Sequence, residues 1–315
     1  MELIFLGTPE FAVPTLERMV DAGHRVLAVF TQPDRPKGRG GKLNASPVKE
    51  AALRLGLTVH QPERIRHTDV VEQLRELQPK AMIVVGYGQI IPQKIIDIPP
   101  LGIINVHASL LPKYRGAAPI QWAVANGEIR SGVTTMRIDA GLDTGDILLK
   151  WQTEIGPEED ALELGRRLAV AGADLLVQTL RDNPTPIKQN PGEATYAPIL
   201  KKEDGMIDWR WRAEKIFNRS RGFLPWPGAY SIFRRQIFHI WKSRIASDSP
   251  GESHSPSGAP GQIIPHRKRL LIACGEGTAL EPLEVQIEGR KRMPAEAFLN
   301  GQHLRDDETL GVKVA

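Results

Sequence analysis

Short, wholly apolar segments alternate with helical patterns through the N-terminal half of the chain, and this alternation restricts the fold more than any other feature. Strands without polar alternation are buried on both faces, which is typical of a parallel sheet covered by helices. The helical patterns cover residues 11–22, 47–55, 68–77 and 158–181. The predicted strands are Leu3–Leu6, Val26–Phe30, Leu57–Val59, Ala81–Val85, Ile103–Val106, Val133–Ile138 and Ile147–Thr153. We therefore predict an α/β fold with a doubly wound, mainly parallel sheet.

The pattern changes near Ala194, where short β-rich segments separated by turns replace the long helices. A chain of 315 residues exceeds what one hydrophobic core comfortably supports. We predict an N-terminal domain at residues 1–190, a linker at 191–205 and a small OB-like β-barrel domain at 206–315. Residues 247–261 are rich in Ser, Pro and Gly, which predicts a disordered loop.

Composition excludes several classes of protein. No apolar run approaches the roughly 20 residues that span a bilayer, and the first residues resemble a strand rather than a secretory leader, so we expect a cytoplasmic protein. Cys274 is the only cysteine, which excludes an intramolecular disulfide and a cysteine-rich metal site, and we predict no metal. Lys and Arg number 24 against 25 Asp and Glu up to Asp204, but 17 against 12 beyond it. This basic excess predicts a polyanionic partner for the C-terminal region.

A polar pair, Asn105 and His107, interrupts the apolar pattern at the end of a predicted strand. Residues two apart in a strand point to the same side, and ligands of doubly wound sheets bind at the carboxyl ends of the strands. An amide and an imidazole placed side by side offer two hydrogen-bond donors to one developing oxyanion. The structural alternative is that Asn105 caps the end of the strand and that His107 is a hydrogen-bonded core histidine.

A second polar cluster follows the strand Val133–Ile138 and contains Asp139, Asp143 and Asp146 together with two glycines. This composition is also typical of ordinary turns. A carboxylate across the crevice from His107 would hold the imidazole in one tautomer and relay a proton through water. The cluster therefore supplies a candidate partner for the histidine.

Several segments in a fixed order carry a resemblance to a known family. They are Asn-x-His-x-Ser-Leu-Leu-Pro at 105–112, Tyr-Arg-Gly-Ala-Ala-Pro-Ile at 114–120 and Gly-Leu-Asp-Thr-Gly-Asp at 141–146. The chain resembles the 10-formyltetrahydrofolate-dependent formyltransferases. Segments at 7–11, 33–40, 196–198, 275–277, 290–293 and 298–301 resemble the members of that family that act on methionyl-tRNA. The likeness runs nearly from end to end and departs chiefly at residues 247–261.

The resemblance implies that a formyl group passes from 10-formyltetrahydrofolate to the α-amino group of initiator methionyl-tRNA, leaving tetrahydrofolate, and we expect a monomer. It implies that Asn105 and His107 stabilise the oxyanion, and that Asp143 orients His107 and helps to move the proton. The N-terminal domain would then be catalytic. The tetrahydrofolate site is assigned to Ser109, Leu110, Leu111 and Pro112, and the pterin contact to the turn that begins at Asp139.

Two basic stretches are candidate contacts for tRNA. In residues 34–42, three glycines and a proline accompany Arg35, Arg39 and Lys42, which predicts a flexible basic loop without regular structure. The resemblance implies that this loop contacts the acceptor end of the tRNA, chiefly through Arg39. The second stretch comprises two C-terminal clusters, Arg267, Lys268, Arg269 and Arg290, Lys291, Arg292. Such clusters bind phosphates, but solvated surface charge equally accounts for either of them.

Other interpretations make different use of the same residues. A nicotinamide enzyme would need a glycine-rich phosphate turn after the first strand, where Gly7-Thr8-Pro9 does not fit. A phosphate-binding loop at Gly38–Lys42 has Leu43 where Ser or Thr is required. A formyltransferase for a small amine, such as an aminoribonucleotide or an amino sugar, would keep the same catalytic residues. An inactive scaffold with an RNA-binding barrel would neither bind nor turn over the formyl donor.

Overall fold

The chain forms two compact units in the computed structural model, which describes residues 1–37, 42–246, 258–305 and 307–311. The first unit comprises Met1–Pro119, Arg130–Glu154 and Leu164–Pro198, and the second comprises Ile120–Ile129, Ile155–Glu163 and Ile199–Ala315. The domain limits predicted from the sequence differ from these units, because Ile120–Ile129 and Ile155–Glu163 belong to the second unit. The division at 1–190, 191–205 and 206–315 stays a prediction.

The first unit is built on a seven-stranded sheet with the order β5-β2-β1-β6-β7-β9-β10. The strands of this unit are β1 (Glu2–Gly7), β2 (Arg25–Phe30), β3 (Arg35–Lys37), β4 (Lys42–Asn44), β5 (Val59–His60), β6 (Ala81–Val85), β7 (Ile103–His107), β8 (Arg115–Gly116), β9 (Arg130–Arg137), β10 (Ile147–Glu154) and β11 (Tyr196–Ala197). From β5 to β7 the neighbours run parallel, whereas β9 is antiparallel to both β7 and β10. The predicted doubly wound, mainly parallel sheet is confirmed.

Helices cover this sheet because both faces of its central strands are apolar. On β1, Ile4 and Leu6 join one buried cluster, while Leu3 and Phe5 are buried on the opposite face. Ser46 begins one of the helices, since its Oγ accepts a hydrogen bond from the backbone N–H of Lys49 at 3.1 Å. The helices of the chain are α1 (Val13–Asp21), α2 (Pro47–Arg54), α3 (Thr68–Glu76), α4 (Gln93–Ile96), α5 (Pro119–Ala125), α6 (Ala161–Asp182), α7 (Ala213–Gly222) and α8 (Ala295–Gly301).

One local prediction for the first unit is wrong. The basic stretch at 34–42 was expected to lack regular structure, but β3 and β4 pair as antiparallel strands, with Arg35 opposite Asn44, while residues 38–41 lie outside the described residues. Tyr196–Ala197, within the predicted linker, forms β11 and pairs in parallel with β8. Backbone pairing determines both strands, because neither segment has the alternating apolar side chains by which strands are recognised in a sequence.

The second unit is a six-stranded antiparallel sheet with the order β12-β13-β16-β15-β14 and with β17 beside β16. Its strands are β12 (Ala229–Phe233), β13 (Gln236–Ile245), β14 (Ile263–His266), β15 (Arg269–Ala273), β16 (Ala279–Ile287) and β17 (Met293–Pro294). The rings of Phe233, Phe238 and Phe298 pack together at its centre, with centroids 5.0 to 6.0 Å apart.

The two edges of this sheet are joined by the segment Glu308–Gly311. Gly311 donates its backbone N–H to Ile232 on β12 at 2.9 Å, and Ile263 on β14 donates its own to Glu308 at 2.8 Å. Since each edge strand bonds to the same segment, the sheet closes as a barrel. The predicted antiparallel barrel is confirmed. Residues 247–257 of the loop expected to be disordered lie outside the described residues, whereas Gly261 at its end is buried and donates its backbone N–H to Ala273 at 2.8 Å.

Within the described residues, no helix is long and apolar enough to cross a bilayer. The same residues contain no group of three or more His, Cys, Asp or Glu side chains that could hold a metal ion. Cys274 is buried, and burial raises the pKa of its thiol to about 12. This thiol therefore stays protonated at neutral pH and behaves as a small apolar side chain.

Candidate active site

The carboxyl end of β7 carries Asn105 and His107, which are two residues apart and share one side of the strand. Asn105 is half-buried and His107 is only 6% exposed. Val106 between them points the other way and is buried in the core. The strand therefore delivers an amide and an imidazole together to the edge of the sheet where the sequence predicted a site.

The hydrogen bonds of His107 define which ring nitrogen is protonated. Its Nε2 lies 2.9 Å from the carbonyl oxygen of Tyr114, and a carbonyl only accepts, so Nε2 carries a proton. Its Nδ1 faces Oδ2 of Asp143 at 3.7 Å. A proton gained by the ring must therefore reside on Nδ1, where it converts this contact into an ion pair.

Asp143 lies between the polar groups of β7 and the backbone of β8. Its Oδ1 is 3.5 Å from Nδ2 of Asn105, and its Oδ2 accepts the backbone N–H of Gly116 at 2.8 Å. The bond from Gly116 is the shorter of the two, so it holds one oxygen of the carboxylate. Asn105, His107 and Asp143, chosen from the sequence, thus meet in one cluster.

The backbone of this cluster leaves little freedom for substitution. Asp143 has a φ of 50°, in the left-handed region that costs a residue other than glycine about 1–2 kcal/mol. Gly116 has a φ of 117°, and a Cβ there would lie 2.7 Å from the carbonyl oxygen of Ala197. Glycine is therefore required where β8, β11 and the carboxylate of Asp143 come together.

Gln189 and Arg115 complete the cluster, and sequence reasoning did not identify their part in it. Gln189 donates from Nε2 to the carbonyl oxygens of Asp143 and Gly145, at 2.8 and 2.7 Å. Its Oε1 accepts from Nε and Nη2 of Arg115, at 3.1 and 2.7 Å. Gln189 reaches the site because Ile187 pairs with Ile147 at the start of β10, a contact that no local pattern reveals.

The loop after β6 links the carboxyl ends of three neighbouring strands. The carbonyl oxygen of Tyr87 accepts from Oγ1 of Thr8 at 3.0 Å and from Nε2 of Gln32 at 3.1 Å. Gly86 and Gly88 flank Tyr87 with φ values of 56° and 84°, which glycine adopts readily. This loop therefore fixes the wall of the crevice next to β7.

The four residues assigned to tetrahydrofolate form a turn that is held from within. Ser109 donates from Oγ to the carbonyl oxygen of Lys113 at 2.6 Å, and its own carbonyl accepts from Oγ1 of Thr134 at 2.7 Å. Leu111 and Pro112 are buried, and Leu110 is half-buried. Side chains that pack inward leave the backbone as the part of this turn that could face a ligand.

Asp139 closes the turn that carries the acidic cluster. Its Oδ1 accepts from the backbone N–H of Gly141 at 3.0 Å and from Oγ1 of Thr144 at 2.7 Å. These bonds shape the turn, as the structural alternative for this cluster expected. Asp139 remains exposed, and its contact with the pterin stays a prediction.

The candidate contacts for tRNA in the first unit are only partly described. Arg35 is exposed on β3. Arg39 lies outside the described residues, and the side chain of Lys42 is likewise not described. At the base of the hairpin, Asp34 accepts from Nζ of Lys49 at 2.5 Å and from Nε2 of Gln61 at 2.7 Å. The bond from Lys49, first, and that from Gln61 hold the pKa of Asp34 below its usual value.

The cluster at residues 267–269 is divided in the second unit. Arg267 and Lys268 are exposed in the turn between β14 and β15, and Nζ of Lys268 is 3.3 Å from Oε1 of Glu296. Arg269 instead points to the buried carboxylate of Glu281, 2.6 Å from Oε2, and Arg244 binds the same carboxylate at 2.9 Å. Arg269 is therefore engaged in an ion pair with a buried carboxylate, while Arg267 and Lys268 are exposed at the surface.

Two family models match the chain, one for each part. The model described as "Formyl transferase" matches residues 1–180, and the one described as "Formyl transferase, C-terminal domain" matches residues 199–303. Together they cover both units of the structure apart from short segments.

Curated proteins and a solved structure show the same likeness. A protein of Solibacter usitatus, named methionyl-tRNA formyltransferase, is 63% identical over 315 residues and is covered to 99%, as is this chain. A protein of the same name from Koribacter versatilis is 54% identical, again with 99% of both chains covered. The crystal structure of WlaRD, a sugar 3N-formyl transferase with dTDP and 5-N-formyl-THF, has a TM-score of 0.66 and 19% identity, covering 92% of this chain and 99% of its own. The last of these comparisons shows a shared fold.

Proposed function

The chain belongs to the formyl transferase family, and on that premise we propose that it transfers the formyl group of 10-formyltetrahydrofolate to the α-amino group of methionyl-tRNA. The proposal rests on one observation above the others: Asp143 lies 3.5 Å from the amide of Asn105 and 3.7 Å from the imidazole of His107. Two donors at the end of β7 and a carboxylate from the turn between β9 and β10 suit acyl transfer to an amine. The formyl donor is a substrate here, and no metal takes part in the proposal.

Asn105 and His107 bind the formyl oxygen as it gains negative charge in this mechanism. The deprotonated amine attacks the formyl carbon, and a tetrahedral intermediate forms whose oxygen accepts from Nδ2 of Asn105 and from Nδ1–H of His107. The ring supplies that second donor only when Nδ1 is protonated, because Nε2–H is already engaged by Tyr114. Asp143 lies 3.7 Å from Nδ1 and orients the ring in this mechanism.

Proton transfer completes the reaction in the same cluster. The attacking nitrogen must lose a proton, and the folate nitrogen must gain one as the carbon–nitrogen bond to the donor breaks. The carboxylate of Asp143 accepts and returns that proton, directly or through a water molecule. The products are the N-formylated aminoacyl-tRNA and tetrahydrofolate, with no change in oxidation state.

Methionyl-tRNA is the acceptor that the relatives' names and the charge distribution favour together. The relatives that are 63% and 54% identical carry that substrate in their names, and the chain beyond Asp204 has an excess of five positive charges. The sugar formyltransferase shares the fold at 19% identity, which carries no argument for a sugar substrate. We further propose the initiator tRNA as substrate and a monomeric enzyme of the cytoplasm, where aminoacyl-tRNA is made and used.

Incubation with 10-formyltetrahydrofolate and a choice of amines tests this proposal. Methionyl-tRNA should give N-formylmethionyl-tRNA, whereas free methionine and an amino sugar should react far more slowly. If only the small amines gave a formylated product, the result would contradict the proposal and favour a formyltransferase that acts on a small amine. Binding of RNA without any turnover of the donor would favour the inactive scaffold.

A further inference from the structure

The side chain of Gln189 connects a buried arginine to the turn that carries Asp143. Arg115 is only 5% exposed, and Gln189 is its hydrogen-bond partner through both Nε and Nη2. The amide orientation of Gln189 follows from chemistry: a guanidinium only donates and a carbonyl only accepts, so Oε1 must face Arg115 and Nε2 must face the turn. All of the strong hydrogen-bonding capacity of this amide is used.

Both hydrogen bonds from Nε2 end on backbone carbonyls of one short stretch. They reach the carbonyl oxygens of Asp143 and Gly145, at 2.8 and 2.7 Å. Between them the chain passes through Thr144, directly after the left-handed conformation of Asp143. Two bonds to alternate carbonyls define the direction of the turn, and this direction sets where the carboxylate of Asp143 points.

The position of that carboxylate is the sensitive quantity in this site. The contacts from Asp143 to Asn105 and to His107 are already 3.5 and 3.7 Å long. A shift of the turn by a few tenths of an ångström would remove both contacts, because both distances are already at the upper limit for such an interaction. The bond from Gly116 constrains one oxygen of the carboxylate, but not the backbone that carries it.

We propose that Gln189 is a positioning residue for Asp143, with Arg115 as its buried anchor. This inference deepens the proposed formyl transfer and rests on it for its catalytic consequence. The two N–H groups of Gln189 are what the turn requires. The bond to Arg115 keeps the amide from rotating and presents those N–H groups to the turn.

Gln189→Glu tests the bonds from the side chain to the turn separately from its bonds with Arg115. The carboxylate keeps, and strengthens, the contact with Arg115, but it places an oxygen against the carbonyls of Asp143 and Gly145. We expect kcat to fall about 10- to 100-fold, the effect of misplacing a catalytic group by roughly 1 Å. KM for 10-formyltetrahydrofolate should change little, and the melting temperature should fall by only a few degrees, because the variant loses the two hydrogen bonds to the turn. Gln152→Glu, on the exposed surface of β10, is the matched control and should retain the wild-type rate.

A double-mutant cycle with Asp143→Asn tests whether Gln189 acts through Asp143. In that background Gln189→Glu should lower kcat by less than about 3-fold, because the carboxylate that it would misplace is gone. Loss of the full factor in both backgrounds would overturn the proposal, as would wild-type kcat in Gln189→Glu alone.

A readout that needs no activity keeps this inference separate from the proposed function. The backbone N–H of Gly116 donates to Asp143, so its hydrogen exchange reports the position of the carboxylate. Exchange at Gly116 should become at least about 10-fold faster in Gln189→Glu and stay unchanged in Gln152→Glu. Unchanged exchange in Gln189→Glu would overturn the positioning role whether or not the wild type formylates tRNA. Absence of formylation by the wild type, with accelerated exchange in the variant, would instead reject only the proposed function.

Discussion

The turn that carries Asp143 and the turn that carries Arg267 each contain a residue with a positive φ, but the side chains of these two residues carry opposite charges. Both residues adopt left-handed backbone angles, with φ of 50° and 56°. The carboxylate of Asp143 is fixed by a backbone N–H and its carbonyl by Gln189. The side chains of Arg267 and Lys268, by contrast, are exposed at the surface. A fixed carboxylate suits a reaction that depends on tenths of an ångström, whereas exposed cations suit a polyanion that is attracted over a Debye length.

The largest expected effect on kcat comes from replacing Asp143 in its turn, or Asn105 or His107 on β7. Asn105→Ala, His107→Ala and Asp143→Asn should each lower kcat by about 10²–10³-fold, because each removes a group that stabilises charge in the transition state. Stopped-flow or quench-flow measurement of formyl transfer would show this. Circular dichroism should show a native fold for each variant. Near-normal kcat in a folded Asn105→Ala or Asp143→Asn would contradict the catalytic assignment.

Arg39→Ala should have the next largest effect if Arg39 makes the charge-assisted hydrogen bond to the acceptor end of the tRNA that the family resemblance implies. We expect kcat/KM for methionyl-tRNA to fall by about 1–3 kcal/mol in transition-state terms. Affinity for the folate should not change. Arg75→Ala is a suitable control, because Arg75 is exposed at the end of α3, just before β6 begins, and thus near the amino edge of the sheet. Equal losses in both variants would remove the special role of Arg39.

Glu281 tests how a buried charge behaves in the second unit. Burial would raise its pKa, but the hydrogen bonds from Arg244 and Arg269 outweigh burial and lower it. Its contribution to stability is therefore present above about pH 4.5 and is lost as the pH falls through the lowered pKa of the folded state.

Glu281→Gln should reduce the free energy of unfolding at pH 7 by about 1–3 kcal/mol. The variant should also lose less stability on acidification than the wild type. Urea denaturation at pH 7 and at pH 4 measures both quantities. Glu284→Gln, whose exposed side chain is 3.5 Å from Arg292, should cost less than about 1 kcal/mol. A cost for Glu281→Gln no greater than that of the control would show that the buried pair contributes nothing.

The smallest expected effect is on tRNA binding by the exposed residues Arg267 and Lys268. Replacing Arg267 and Lys268 by Gln should weaken tRNA binding by a few-fold and lower the slope of log K against log salt by up to about 2, the release of one counterion per lost phosphate contact. Folate binding should not change. Lys94→Gln, on the surface of α4, serves as the control. An unchanged salt slope would assign RNA binding to other residues.

Structure could be predicted from the sequence where a local pattern of residues is enough to determine it. The bounds of β6 follow from five consecutive apolar residues, and they agree with the structure at Ala81–Val85. Asn105 and His107 were candidates because two polar side chains at the carboxyl end of a strand point to the same side, but a structural role accounted for them as well until the family resemblance was recognised. Asp143 required the family resemblance, since an aspartate between glycines is also an ordinary turn residue. The catalytic roles of all three stay predictions.

Residues whose role depends on distant pairing could not be predicted. Gln189 stands among Pro, Asn and Lys residues that resemble a loop, and only the pairing of Ile187 with Ile147 brings it beside Asp143. The hairpin of β3 and β4 and the strand β11 are short backbone pairings without apolar alternation. Helix α4 has four residues, which is too few for a periodic pattern to be recognised.

The segment that joins β12 to β14 has a consequence for how the chain is made. Synthesis proceeds from the N-terminus, and Ile232 and Ile263 receive their partners only when residues 308–311 have left the ribosome. Until then the growing chain exposes two unpaired strand edges, which other nascent chains could bind. The first unit needs nothing beyond Ala197 to complete its own pairing. A ribosome paused near residue 300 would therefore display one unit with its strand pairing complete and one with two open strand edges.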